Sequence, residues 1–180
     1  MKDGGECQRM NYRQESIPGV RPHGKSHSGV HGVPSMRFQQ FEGKTAITFG
    51  VFDLLHFGHF ELFRRIRELV GANGRVWIML QIDESIKRYK PGCKSVYDFE
   101  KRKSMIETLR TVDRVIPYDA VGVEAVKELN FDVLICGPEH TNERFQKLFK
   151  WCEQNGKEVI VLPRTGGIST TTLKSIIRDL

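Results

Sequence analysis

The sequence predicts a doubly wound α/β domain, a Rossmann-like parallel sheet of five strands with helices on both faces. Three observations predict it. From Lys44 onward, short apolar runs alternate with segments of helical periodicity. The runs are apolar on both faces, as strands covered on two sides require. Finally, unusual polar residues cluster directly after three of the runs, where open α/β sheets bind their ligands.

Residues 45–49 (TAITF) read as the first buried strand, and 59–70 as a helix with Phe63, Ile66 and Val70 on one face. Gly71, Asn73 and Gly74 then break the chain before 76–80 (VWIML), the second strand. Residues 83–97 read as a loop with a turn at Pro91 and Gly92, followed by a helix over about 98–110 capped by Asp98. Residues 114–117 form a short third strand and 123–129 a short helix. The fourth strand is 133–136 (VLIC), with a helix over about 142–155 after it. Residues 158–162 (EVIVL) complete the sheet, and the last helix runs over about 170–178. Right-handed crossovers between parallel strands give the doubly wound arrangement.

A chain of 180 residues accommodates one domain and an appendage. Residues 1–41 are polar and rich in Gly, Ser, His and Pro, too poor in apolar surface to offset ordering entropy, and read as a disordered leader. The folded domain is then 42–180. His23, His27 and His31 recur at a helical spacing, but Pro22, Gly24, Gly29 and Gly32 argue against a helix, so no metal stripe is expected there. The four cysteines stand far apart without a CxxC pair, which speaks against a disulfide framework or a zinc ribbon. No apolar run approaches the roughly 18–20 residues of a membrane span. No secretory signal is visible, so a cytoplasmic protein with no membrane partner is expected. The formal charge is +6, and residues 1–41 hold six basic and three acidic side chains, about half the excess. Lys87, Arg88, Lys90 and Lys94 cluster in the remainder, a pattern that suits a polyphosphate. With no helix-turn-helix or stacked-aromatic module, nucleic acid is not an expected partner.

The first strand ends in GVFDLLHFGH, the fourth in CGPEH and the fifth in PRTGGISTT. Gly50 lets backbone approach a ligand, and His56 and His59, three apart at a helix start, project from one turn. Helix amino termini offer free N–H groups and partial positive charge. Two imidazoles beside one suit a phosphoryl group that gains negative charge during in-line displacement. Gly58 keeps that approach uncrowded. In the last segment Arg164 can fork onto phosphate oxygens, Gly166 and Gly167 expose amides, and Ser169 and Thr170 stand where a helix needs its cap.

GVFDLLHFGH together with RTGGISTT resembles the cytidylyltransferases, most closely those acting on glycerol 3-phosphate, over about residues 44–180. Asp83, Arg102, Arg110 and Asp113 also fall where that family has matching residues. HxGH alone marks a wider superfamily that includes adenylyltransferases; RTxGISTT is narrower and favours CTP. The resemblance implies that His56 and His59, with Arg164, stabilise the reacting α-phosphate. It implies that Gly50, Val51, Phe52, Asp53, Arg164, Thr165, Gly166, Gly167, Ile168, Ser169, Thr170 and Thr171 bind CTP. Lysines of the 87–94 loop would reach phosphates, Lys90 on the nucleotide side and Lys87 on the acceptor side. The chain departs from the pattern at Val51, where Thr is usual, and at CGPEH, where a GDDW-like segment is usual. Glu139 and His140 are therefore expected at the acceptor. The reading is metal-assisted transfer of CMP from CTP to a small phosphorylated acceptor, glycerol 3-phosphate leading, with release of pyrophosphate. Mg²⁺ would be carried by the triphosphate with no protein metal site, and a homodimer is the expected assembly. Two alternatives stand beside this reading: an adenylyltransferase of the same fold, and a nucleotide-binding regulator without turnover. A dehydrogenase fits poorly, since no GxGxxG follows the first strand.

Overall fold

The computed structural model describes residues 39–89, 92 and 94–180. The leader over residues 1–38 and the Lys90 assignment lie outside the described residues. Phe41, which the composition reading places in the leader, is buried and belongs to the core.

Five parallel strands form one sheet: β1 (Thr45–Gly50), β2 (Arg75–Gln81), β3 (Arg114–Tyr118), β4 (Val133–Cys136) and β5 (Glu158–Val161). Their order is β3-β2-β1-β4-β5, with β1 paired to both β2 and β4. Side chains alternate along each strand. Ala46, Ile78, Leu80, Val133 and Ile135 face one core, while Ile47, Phe49, Met79, Leu134 and Cys136 face the other. The first core is closed by α1 (Phe57–Val70) and α3 (Phe99–Glu107) through Phe63, Ile66, Leu69, Val70 and Ile106. The second is closed by α4 (Glu143–Gln154) through Phe145, Leu148, Phe149 and Cys152. Helices therefore cover both faces, as the doubly apolar strands demanded.

Two local expectations are corrected. Residues read as loop form α2 (Asp83–Tyr89), which buries only Ser85 and Ile86 and so leaves no apolar stripe to read. Conversely, the segment expected as a helix over 123–129 makes only a 3₁₀ turn, Val123–Ala125, with Val126 as its buried anchor. Elsewhere capping decides the boundaries. Asp98 caps α3 by accepting the Lys101 amide, and Asn142 caps α4 by accepting those of Arg144 and Phe145.

The chain winds outward from β1 through β2 to β3, then returns to lay β4 on the other side of β1. The switch point is thus at the carboxyl ends of β1 and β4, the place where open α/β sheets bind their ligands. α5 (Thr170–Arg178) follows β5 on that same side.

Candidate active site

The turn from β1 into α1 is built on an unusual backbone. Phe52 (φ 50°) and Leu54 (φ 46°) both adopt left-handed conformations without being glycine. Such residues cost about 1–3 kcal/mol each and persist only where surrounding contacts enforce them. The enforcing group is Asp53 between them, whose carboxylate accepts the amides of Val96 (2.9 Å) and Tyr97 (3.1 Å) and the ammonium of Lys174 (2.9 Å). Burial alone would raise this carboxyl, but Lys174 and the two amides hold it below its usual value. Phe52 packs edge-on against His59 and Phe63. The side chains of Phe52 and Asp53 are therefore turned into the protein. Gly50 has a nearer neighbour than any ligand: a Cβ there would lie 2.5 Å from the Phe52 ring.

α1 starts two residues earlier than the apolar pattern indicates, and His56 is its cap, accepting the Gly58 amide through Nδ1 (3.1 Å). That bond places the proton of the neutral ring on Nε2, which is left as a donor. A Cβ on Gly58 would press on the His56 ring at 3.0 Å, so glycine keeps the cap in place. His59 stacks on His56, with ring centroids 3.8 Å apart. Its Nδ1 is buried with no hydrogen-bond partner, a cost of about 1–3 kcal/mol.

Burial first, then the charge of Arg164, lowers the pKa of His56. Burial, then the His56 imidazole and Arg164, push His59 from 6.5 to about 3, with Asp53 opposing. His59 is therefore neutral at pH 7. On unfolding, this ring regains its ordinary affinity for a proton, so stability is lost as pH falls below about 6.5 towards 3. Unfolding followed across that window should show a shallower loss in His59→Asn than in the parent protein. Parallel curves would contradict the neutral buried imidazole.

The second wall is the segment from β5 to α5. Arg164 lies close enough to both imidazoles to depress them, and its Nε donates to Glu139 Oε1 (2.9 Å). Gly167 takes a left-handed φ of 82°, and a Cβ on Gly166 or Gly167 would meet nothing within 4 Å, so the turn is uncrowded. Ser169 caps α5 by accepting the Thr172 amide (3.0 Å), and Thr170 donates to the Asp53 carbonyl (2.9 Å). Ile168 lies against Gly58, its Cγ2 3.5 Å from where a Cβ would stand. Two helix amino termini, those of α1 and α5, thus meet at the switch point with Arg164 beside them. Thr165 is half-buried and Thr171 exposed on the first turn of α5.

Sequence-expected residues are not all brought together. Lys87 is exposed on the last turn of α2. His140 lies flat on Phe145, with centroids 4.2 Å apart, and its Nδ1 accepts the Gly137 amide. Its ring braces the loop after β4, while Glu139 is the member of that pair that reaches Arg164. No activated thiol is present among the described residues, since burial pushes Cys136 up to about 12 and Cys152 to about 11. One polar residue that carries the geometry, Lys174, lies outside the residues expected at the site, while Arg102 is singled out only by its place in the family pattern. Thr170 and Lys174 stand four apart and so share a helix face; that spacing was the available signal.

Residues 47–176 match the family model described as cytidylyltransferase-like, which covers most of the described fold. The chain belongs to the cytidylyltransferase-like family. It is a nucleotidyltransferase, as the paired motifs implied. It is 42% identical over 135 residues to a glycerol-3-phosphate cytidylyltransferase of Staphylococcus aureus, spanning 73% of this chain and 92% of the relative. The enzyme of that name from Bacillus subtilis is 36% identical over 140 residues, 76% of this chain and 99% of the relative. Among solved structures, a lipopolysaccharide core biosynthesis protein from Thermoplasma volcanium superposes with a TM-score of 0.56 at 21% identity. That match covers 69% of this chain and 98% of the other and supports the fold alone. The cytidylyltransferase-like domain contains no described helix long and apolar enough to cross a membrane.

Proposed function

We propose that the protein transfers CMP from CTP to glycerol 3-phosphate and releases pyrophosphate. One observation carries the reading: the stacked pair His56 and His59 at the amino terminus of α1, facing Arg164 across from the open turn before α5. The names of the Staphylococcus and Bacillus relatives support the nucleotide and the acceptor.

In this reading the amides at Gly166 and Gly167, the first turn of α5 and Arg164 hold the β and γ phosphates. A phosphate oxygen of the acceptor attacks the α-phosphorus, and the bond to the bridging oxygen of pyrophosphate breaks. The His56 Nε2–H and the His59 ring donate towards the α-phosphate as its charge grows. No covalent intermediate with the protein forms. Among the described residues, no group of three or more His, Cys, Asp or Glu is placed as a cage for an ion. Mg²⁺ would arrive on the triphosphate, where it would neutralise charge. Arg164 donates to Glu139 in this structure; once phosphates take Arg164, the carboxylate is freed for acceptor hydroxyls.

Pyrophosphate release with glycerol 3-phosphate should be fastest with CTP among the four nucleotides. A preference for ATP would move the protein to the adenylyltransferase reading, and tight CTP binding without turnover to the regulator reading. In Glu139→Gln the KM for glycerol 3-phosphate should rise while that for CTP does not. An equal rise in both would place Glu139 with the nucleotide. We further propose a homodimer that covers Phe57 and Phe60, exposed on α1; a monomer by light scattering would remove that part.

A further inference from the structure

α5 carries the cap and first-turn amides assigned to the triphosphate, yet none of its residues is buried. None of its apolar side chains joins either core, and Ile176 and Ile177 are exposed. The segment leading to it contains Gly166 and Gly167, which do little to fix its direction. Helices in globular proteins normally draw their placement from packing of an apolar face. Here polar contacts on one face tie the helix to the site. Thr170 donates to the Asp53 carbonyl (2.9 Å), and four residues on, the Lys174 ammonium reaches the Asp53 carboxylate (2.9 Å) and the Lys94 carbonyl (2.8 Å).

We propose that Lys174 is a positioning residue: its ammonium clasps α5 to the β1–α1 turn and to the 94–97 segment. The clasp sets the phosphate-facing end of α5 against His56 and His59. The inference rests on assigning that end of α5 to the triphosphate. The β1–α1 turn and the 94–97 segment are joined to α5 at this one charge. Asp53 is buried and takes the Val96 and Tyr97 amides on the same carboxylate, so the ammonium faces a rigid, charged anchor. The carboxylate also holds the two left-handed residues on either side of it, so the histidine turn and α5 are registered through one group. A displacement of about 1 Å in such a constellation costs up to about 10²-fold in rate.

The test uses Lys174→Met, which keeps length and loses charge, with Lys174→Arg as the conservative variant. Kinetics should show kcat/KM for CTP reduced roughly tenfold or more in Lys174→Met, with KM raised and kcat lowered, and largely restored in Lys174→Arg. Hydrogen exchange without substrate should show amides 171–175 exchanging faster in Lys174→Met while those of α1 are unchanged. Should the Met variant fold poorly, Lys174→Gln, which retains a donor, should fall between it and the parent in both measurements. Parent-like exchange in α5, or equal impairment of the Met and Arg variants, would overturn the clasp. Because exchange is read without nucleotide, the two readings separate. A parent protein that binds no CTP defeats the proposed function, and faster exchange in the variant still supports the clasp.

Discussion

Replacing His56 or His59 by alanine is expected to lower kcat by roughly 10²–10³-fold, the usual consequence of removing one donor aimed at developing charge. The reason is geometric. The two rings stack at 3.8 Å on the first turn of α1, and the cap bond from Gly58 turns the His56 proton outward on Nε2. Burial keeps His59 neutral, so its interaction with a phosphate strengthens only as negative charge accumulates. CTP affinity should change much less, because Arg164 and the α5 terminus remain. The two variants should differ in one respect. His56→Ala also removes a helix cap, worth about 0.5–2 kcal/mol, whereas His59→Ala removes a buried imidazole with an unpaired nitrogen. Steady-state kinetics beside CTP titration separates these effects. Full kcat at saturation with weakened binding in His59→Ala would make the ring a ground-state contact and end its proposed role.

Arg102→Met is expected to destabilise the fold by about 1–3 kcal/mol, the range for leaving buried polar groups without their partner. Arg102 is fully buried. Its guanidinium donates to the carbonyls of Tyr97 (3.2 Å), Val51 (2.6 Å) and Gln81 (2.9 Å) and to the Asp83 carboxylate (2.7 Å). These acceptors belong to the residue after β1, the end of β2, the start of α2 and the segment before α3, so one side chain ties down the floor of the site. Asp83 additionally accepts the Phe99 amide (2.8 Å). Methionine matches much of the buried volume but leaves three carbonyls and a carboxylate without their donor. Arg102→Lys should recover little, because an ammonium cannot fork to acceptors spread around a plane. Urea denaturation gives the test. A loss below about 1 kcal/mol in Arg102→Met would mean that water replaces the guanidinium and that the floor does not depend on it.

Periodicity revealed the five strands and most helices because burial writes itself locally, every second residue in a strand and every third or fourth in a helix. α2 escaped because it buries only Ser85 and Ile86, and the expected helix at 123–129 shrank to a turn because one buried residue, Val126, anchors it. The motifs were legible for a different reason. HxGH and RTGGISTT concentrate glycine, imidazole, guanidinium and hydroxyl in ways that a hydrophobic core does not call for, and the family match agrees with them.

By itself, then, the sequence determined the doubly wound class, the strand-end positions of the polar segments and the family. Only tertiary structure decided what each polar side chain does. Asp53 was grouped with the nucleotide contacts by its place in a motif, yet its carboxylate anchors the turn and α5. Lys174 stood outside every motif and holds α5 in register. The physical reason is distance along the chain. Thr170 meets Asp53 across 117 residues and Lys174 meets Lys94 across 80. A hydrogen bond between such residues leaves no periodic trace, and only the folded sheet brings the partners within 3 Å of each other.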